Sequence, residues 1–238
     1  MMRAAISVLA VALSTIVAGC GHAPGYPPSP MARPADVIDF ATLFNENCAA
    51  CHGANGERGP AIDLANPEYQ ALVDDATLRK SISNGMSGTE MPAFAQSAGG
   101  MLTDAQVNAL IAGMRNAWSK PNVFAGATPP PYAQTAAGDS SHGQQTYAAR
   151  CASCHKSPTQ DITSPDYLAL VGDQALRTII IAGRPDIGQP DWTHVSADGK
   201  AATPLADQDV DNVVAYLASL RSAGPGTQAA NNAPTPGR

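Results

Sequence analysis

Two copies of one short pattern bring together residue types that can hold a metal-containing cofactor. The copies lie at 48–52 (CAACH) and 151–155 (CASCH). C-x-x-C-H is the attachment pattern of c-type haem, because two thiols one helical turn apart can both bond the vinyl groups of one porphyrin. The adjoining imidazole can then bind the iron. We therefore predict two covalently bound haem c groups, attached through Cys48, Cys51, Cys151 and Cys154, with His52 and His155 as proximal ligands.

Two other uses of paired cysteines fit the sequence less well. A zinc ribbon needs roughly 15–20 residues between its pairs, whereas here 99 residues separate Cys51 from Cys151. A thioredoxin-like redox motif is expected in a βαβ setting and does not use the following His. The haem interpretation is therefore favoured.

The first 19 residues have the features of an export signal. A short basic start containing Arg3 precedes an apolar run over 4–18, which is too short for a comfortable transmembrane helix. The run ends in VAGC at 17–20, which resembles the bacterial lipobox, where cleavage before the Cys accompanies its lipidation. We expect Cys20 to carry lipid and to hold the exported chain on the periplasmic side of a bacterial membrane. An ordinary signal peptide followed by an unpaired Cys is the alternative.

Charge argues against one class of partner. The 238-residue chain has a formal net charge of −6, and haem propionates would make it more negative. It has no basic patch with interleaved aromatic residues, so nucleic acid is not an expected partner.

An internal repeat organises the elements that position these residues. Residues 66–73 (NPEYQALV) match 164–171 (SPDYLALV) at an offset of 98. Helices are predicted near Asp75–Asn84 and Asp173–Ala182, and Thr103 with Gln106 has capping-box spacing before a closing helix. The predicted fold is all-α, with two tandem helical domains that each wrap around a covalent haem. The predicted segments are a signal peptide (1–19), a tether (20–35), domain 1 (36–118), a Pro/Ala/Gly-rich linker (119–141), domain 2 (142–222) and a disordered tail (223–238).

Each copy resembles a class I cytochrome c domain. In that family a Pro after the haem motif lends its carbonyl to the proximal His, and Pro60 and Pro158 match this position. The sixth iron ligand is usually a Met before a Pro in a Gly-rich loop. Met91, directly before Pro92, matches it and would raise the reduction potential. Met86 is the second candidate in the same loop.

Copy two departs from the family pattern. Gln189 stands where copy one has Met91, and no Met follows residue 114. Three alternatives remain open: Gln189 ligates weakly, Gln189 holds a water over an open iron, or His194 swings in as a second imidazole ligand. His142 and His22 are poorer candidates. Imidazole in place of thioether should lower the potential, so we expect the two haems to differ in potential.

These features predict a membrane-tethered dihaem cytochrome c. It would carry electrons from a quinol-oxidising complex or a dehydrogenase to a terminal oxidase or other acceptor, alone or as a subunit of a respiratory complex. The alternative is a dihaem peroxidase or small-molecule oxidoreductase that uses the second haem. Little acid–base apparatus accompanies that haem beyond Gln189, His194 and Arg184, so a carrier is expected rather than an enzyme.

Overall fold

The computed structural model describes residues 33–155, 157–158, 160–194 and 203–221. The signal peptide, Cys20, His22 and the predicted tail lie outside these residues, as does most of the predicted tether. The chain divides into two units, Met1–Asp36 and Val37–Arg238. Of the first unit, only residues 33–36 are described: a 3-10 turn over Pro34–Asp36 with an ion pair between Arg33 Nε and Asp36 Oδ2 at 2.8 Å. The second unit contains both copies of the repeat.

Copy one is a set of five α-helices. They are α1 (Phe40–Asn47), α2 (Ala49–His52), α3 (Pro67–Leu72), α4 (Asp75–Asn84) and α5 (Asp104–Trp118). Asp39 begins α1 by accepting from the Thr42 amide at 2.8 Å. The capping box predicted for Thr103 and Gln106 at the start of α5 is present.

Copy two repeats this order. Its helices are α6 (Ser140–Arg150), α7 (Pro165–Leu170), α8 (Asp173–Ala182) and α9 (Asp207–Ser219), and its haem motif forms turns directly after α6. The predicted bounds of α4 and α8 are confirmed. Within the described residues there is no β-strand, only two isolated bridges, so the all-α prediction is confirmed for this part of the chain.

The closing helix of each copy packs on the helix that leads into the haem motif. In copy two, α9 crosses α6 so closely that a Cβ placed on Gly143 would lie 1.9 Å from the Asn212 carbonyl oxygen. In copy one, the rings of Phe40 and Phe44 pack on Trp118 at centroid distances of 5.6 and 5.2 Å. These contacts hold the start of each haem motif against its domain.

In each copy, one arginine joins the end of the short helix that begins with Pro to the start of the helix that follows it. Arg115 donates to the Gln70 and Val73 carbonyls and pairs with Asp75. In copy two, Arg221 donates to the Leu168 and Val171 carbonyls and pairs with Asp173. The three partners differ by 98 positions between copies, so the sequence repeat is also a repeat of contacts.

The segment between the copies is tied to copy two. Arg177, whose side chain is 2% exposed, pairs with Asp211 and Asp207 of α9. Its guanidinium also donates to the carbonyls of Pro131, at 2.8 Å, and Tyr132, at 3.2 Å. The predicted connector is therefore held along the surface of α8 and α9 at this point. None of the described helices is long and apolar enough to cross a membrane.

Candidate haem-binding sites

Each proximal histidine is held by a backbone carbonyl. His52 Nδ1 lies 2.8 Å from the Ile62 carbonyl oxygen, and His155 Nδ1 lies 2.9 Å from that of Gln160. Because the carbonyl can only accept, Nδ1 carries the hydrogen and Nε2 keeps the lone pair that binds a metal. The two acceptors lie 98 positions apart, which is the offset of the sequence repeat.

This contact corrects one expectation. The family resemblance assigned the accepting carbonyl to Pro60 and Pro158, but in both copies the acceptor is two residues further along. In copy one, the Ala61 amide donates to the Cys51 carbonyl at 2.9 Å, which closes the loop and brings the next carbonyl, that of Ile62, to Nδ1 at the edge of the ring.

The first cysteine of each motif is a partly buried, neutral thiol. Burial raises the pKa of Cys48 and Cys151 to about 11 in each case, and both side chains pack on apolar clusters. Cys51 and Cys154 are exposed. A redox-active C-x-x-C needs a thiol with a lowered pKa, so this environment argues against the thioredoxin-like alternative. Within the described ranges, no three His, Cys, Asp or Glu side chains converge as a metal-binding cluster.

The loop that carries Met91 begins with a glycine in the left-handed region. Gly85 ends α4 at a φ of +68°, and a Cβ there would lie 2.6 Å from the Met91 carbonyl oxygen. The Met86 amide donates to that carbonyl at 3.1 Å. Met91 is half-buried and packs against the core of copy one. The loop thus holds Met91 by its backbone.

Copy two builds the same loop around Gln189. Gly183 ends α8 at a φ of +71°, and Arg184 and Gln189 exchange two backbone hydrogen bonds, each 2.9 Å long. The side chain of Gln189 reaches the proximal residue: its Oε1 lies 3.2 Å from His155 Nε2. The amide therefore lies directly against the imidazole nitrogen that is free to bind iron. This distance leaves no space for an iron atom between them, so the Gln189 side chain has to move when a haem is bound.

The structure places His194 differently. Its side chain is 74% exposed, and Nδ1 lies 3.1 Å from Asp191 Oδ1. It lines a shallow surface cavity of about 280 Å³ together with Gln189 and with Glu68 of copy one. His142 lies in the first turn of α6, 3.8 Å from the Asp139 carboxylate. Neither has a contact with His155, and ligation by His194 stays a prediction.

A polar cluster that sequence analysis did not predict lies between the copies. Arg184 reaches copy one and donates to the Ala61 carbonyl at 2.9 Å. Nearby Asp63 is 3% exposed and its Oδ1 has no hydrogen-bond partner. Burial, and then the charge of Asp186, raises the pKa of Asp63 to about 6. Burial likewise lowers the pKa of His52, and Arg184 adds to this effect. The only sequence signal was the charge itself: Arg184 stands where copy one has Met86.

The residues present fit a covalently attached haem in each copy. Each site offers two thiols, one of them partly buried against an apolar cluster, beside an imidazole whose Nε2 is left free. In copy two, a polar side chain faces that nitrogen from the opposite loop.

Comparison with known proteins agrees with this geometry. Residues 35–112 match the family described as cytochrome c oxidase, cbb3-type, subunit III, and residues 140–221 match the cytochrome c family. The cbb3-type cytochrome c oxidase subunit FixP of Bradyrhizobium sp. (strain ORS 278) is 39% identical over 62 residues. That segment is 25% of this chain and spans only 21% of the relative. No solved structure matches the chain significantly.

Proposed function

Because this chain consists largely of two cytochrome c domains in tandem, which imply two covalent haem c groups, we propose that it is a dihaem electron carrier of a respiratory chain. It accepts electrons from a quinol-oxidising complex or a dehydrogenase and passes them to a terminal oxidase or another acceptor. The observation that carries the proposal is the duplicated proximal site, in which both imidazoles are fixed by a carbonyl at the same place in the repeat.

The haem supplies reversible one-electron chemistry at iron, and the chain sets how readily it occurs. In the proposed sites, the four cysteines hold the porphyrins and His52 and His155 bind iron through Nε2. Met91 completes the first site with a thioether, which favours a high potential. Gln189, or His194 by movement of its loop, completes the second site. An amide or imidazole in place of a thioether gives the second site the lower potential and makes it the entry point for electrons.

The similarity to a cbb3-type oxidase subunit supports a terminal oxidase as the acceptor. The matched family covers the first domain, which contains Met91, and FixP is named as a subunit of such an oxidase. We propose that the high-potential first domain faces the oxidase. Lipidation at Cys20 would keep the carrier on the periplasmic side of the membrane, near its redox partners.

A dihaem peroxidase is the second candidate, because Gln189 is not a strong iron ligand. The polar side chains near Gln189 argue against a peroxidase. Arg184 is engaged with copy one, and His194 is exposed and paired with Asp191. Neither is free above His155 to assist cleavage of a peroxide.

Electron delivery distinguishes the two functions. The full chain, matured with both haems and reduced with ascorbate or dithionite, is mixed with membranes that contain a cbb3-type oxidase. Cyanide-sensitive reoxidation in air is expected, together with no turnover of hydrogen peroxide. The matched control replaces Cys151 and Cys154 by Ser, which removes the second haem and should leave delivery from the first domain intact. Peroxide turnover without reoxidation by the membranes would contradict the proposal.

A further inference from the structure

One loop contacts both haem-binding sites. The second distal loop, residues 183–190, carries Gln189 toward His155 and Arg184 toward copy one. Arg184 is buried, at 6% exposure, although it is charged. Its Nη1 donates to the Ala61 carbonyl at 2.9 Å and its Nη2 to the Gly59 carbonyl at 3.2 Å. Both carbonyls belong to the first proximal loop, residues 53–62, which ends at the carbonyl that holds His52.

A carboxylate completes this contact. Asp186 forms a two-point ion pair with Arg184. Arg184 Nε lies 2.8 Å from Asp186 Oδ1, and Arg184 Nη2 lies 2.7 Å from Asp186 Oδ2. The same Oδ2 accepts from the Arg58 amide at 2.9 Å. Two-point guanidinium–carboxylate pairs are geometrically specific, so the two loops have little freedom to slide. We call Arg184, Asp186 and their backbone partners at 58–61 the interdomain clasp.

The base of the second distal loop is also fastened to copy one. Asn66, 2% exposed, donates from Nδ2 to the Ala182 carbonyl at 2.8 Å and to that of Gly183 at 3.3 Å. Gly183 is the residue at which the loop leaves α8. A movement at the loop's far end therefore has to be taken up between Gly183 and Gln189, where Arg184 lies.

Of the two equivalent loops, only that of copy two carries the arginine. Met86 is the counterpart of Arg184 in copy one and has no charge. Gln189 and Arg184 are joined by their reciprocal backbone hydrogen bonds, so the position of one fixes the position of the other. A ligand that displaces the Gln189 amide and shifts the backbone of its loop would act on this pair, and through Arg184 on the Gly59 and Ala61 carbonyls of the first proximal loop.

We propose that the second site binds a small neutral diatomic ligand in place of the Gln189 amide, and that the interdomain clasp transmits this binding to the first haem. No electron or proton moves in the exchange: the Gln189 amide would move away from the iron of the second haem, and the ligand would bind that iron instead. The coupling is reciprocal, so the redox state of the first haem changes the ligand affinity of the second by the same factor. The inference requires the two haems and goes beyond electron delivery to an oxidase.

Carbon monoxide is the probe, with the full chain carrying both haems. The midpoint potential of the first haem is measured with and without CO, in the native protein and in Arg184→Gln. CO holds the second haem reduced and so changes its charge, a contribution that all variants share. The clasp contributes the difference between the two CO-induced shifts. A coupling of about fivefold, at the low end of typical values, corresponds to about 40 mV at 59 mV per tenfold change.

Arg221→Gln is the matched control. Arg221 also donates to two carbonyls and pairs with an aspartate, but within copy two. It should keep the native shift, and Arg184→Gln should lose the clasp contribution while still binding CO. Asp186→Asn, which keeps the shape of the side chain, should reduce the shift and serves if Arg184→Gln fails to fold. Equal shifts in the native protein and the clasp variants would overturn the inference, and so would failure of the native second haem to bind CO.

Discussion

Replacing the buried Arg177, which holds the linker, should destabilise the second domain strongly. Replacing its counterpart in copy one, Arg79, should have little effect on the stability of the first domain. Arg177 and Asp211 are 2% and 1% exposed, and they pair directly. Replacing Arg177 by Met leaves the Asp211 carboxylate buried, and its Oδ2 already lacks a partner. Breaking a buried ion pair from one side costs about 3–5 kcal/mol. For a domain of roughly 80 residues, each kcal/mol lowers Tm by about 4–8 °C.

The assay is urea denaturation of the full haem-loaded chain, with unfolding monitored by circular dichroism in the Soret region. Arg79→Met is the matched control, because Arg79 occupies the same repeat position in copy one and is exposed. It should change the free energy of unfolding by no more than about 0.5 kcal/mol. Arg177→Met together with Asp211→Leu should recover at least half of the loss, because an apolar pair of similar volume often replaces a buried ion pair without cost.

The pH dependence provides an independent check. Burial raises the pKa of Asp211, whereas the Arg177 charge lowers it. Without Arg177 the pKa rises further, so the folded state binds a proton that the unfolded state releases, and stability falls as pH rises. The deficit of Arg177→Met should therefore be larger at pH 7 than at pH 4. A loss below about 1 kcal/mol at pH 7, or a deficit that does not vary with pH, would refute the reasoning.

Three further predictions concern other sites. The pKa of Asp63 is raised from 3.8 to about 6, so its own contribution to stability should fall as pH rises from 4 to 7; the urea midpoint of Asp63→Asn, relative to that of the native protein, should therefore increase over this range. Gly143→Ala should cost about 1–3 kcal/mol by forcing α6 away from α9, whereas Ala at the exposed neighbour Gln144 should be nearly neutral. Gln189→Met should raise the potential of the second haem in a redox titration and weaken CO binding; if His194→Ala instead changes the haem spectrum, then His194 is the ligand.

Local patterns in the sequence were enough for the repeat, the helices and the nature of the cofactor. Helix periodicity and the Thr103–Gln106 cap depend on neighbours within a few positions, and the C-x-x-C-H pattern carries its chemistry within five residues. The sequence also showed that copy two has Gln189 at the position equivalent to Met91, because the repeat aligns the two loops. The sequence did not show that the Gln189 side chain contacts His155, since this contact depends on how the fold brings the two loops together.

The tertiary structure decided the contacts that join distant parts of the chain. The carbonyls that hold His52 and His155 belong to Ile62 and Gln160, two residues beyond the expected prolines, because loop closure sets which carbonyl reaches Nδ1 of the ring. The sequence offered Arg184 as a possible acid–base group of the second haem, and only the packing of copy two on copy one buries it against Gly59 and Ala61. A sequence by itself determines which groups are available and how neighbours along the chain are spaced. Burial and long-range pairing arise from the summed packing of both domains, and no local pattern encodes that sum.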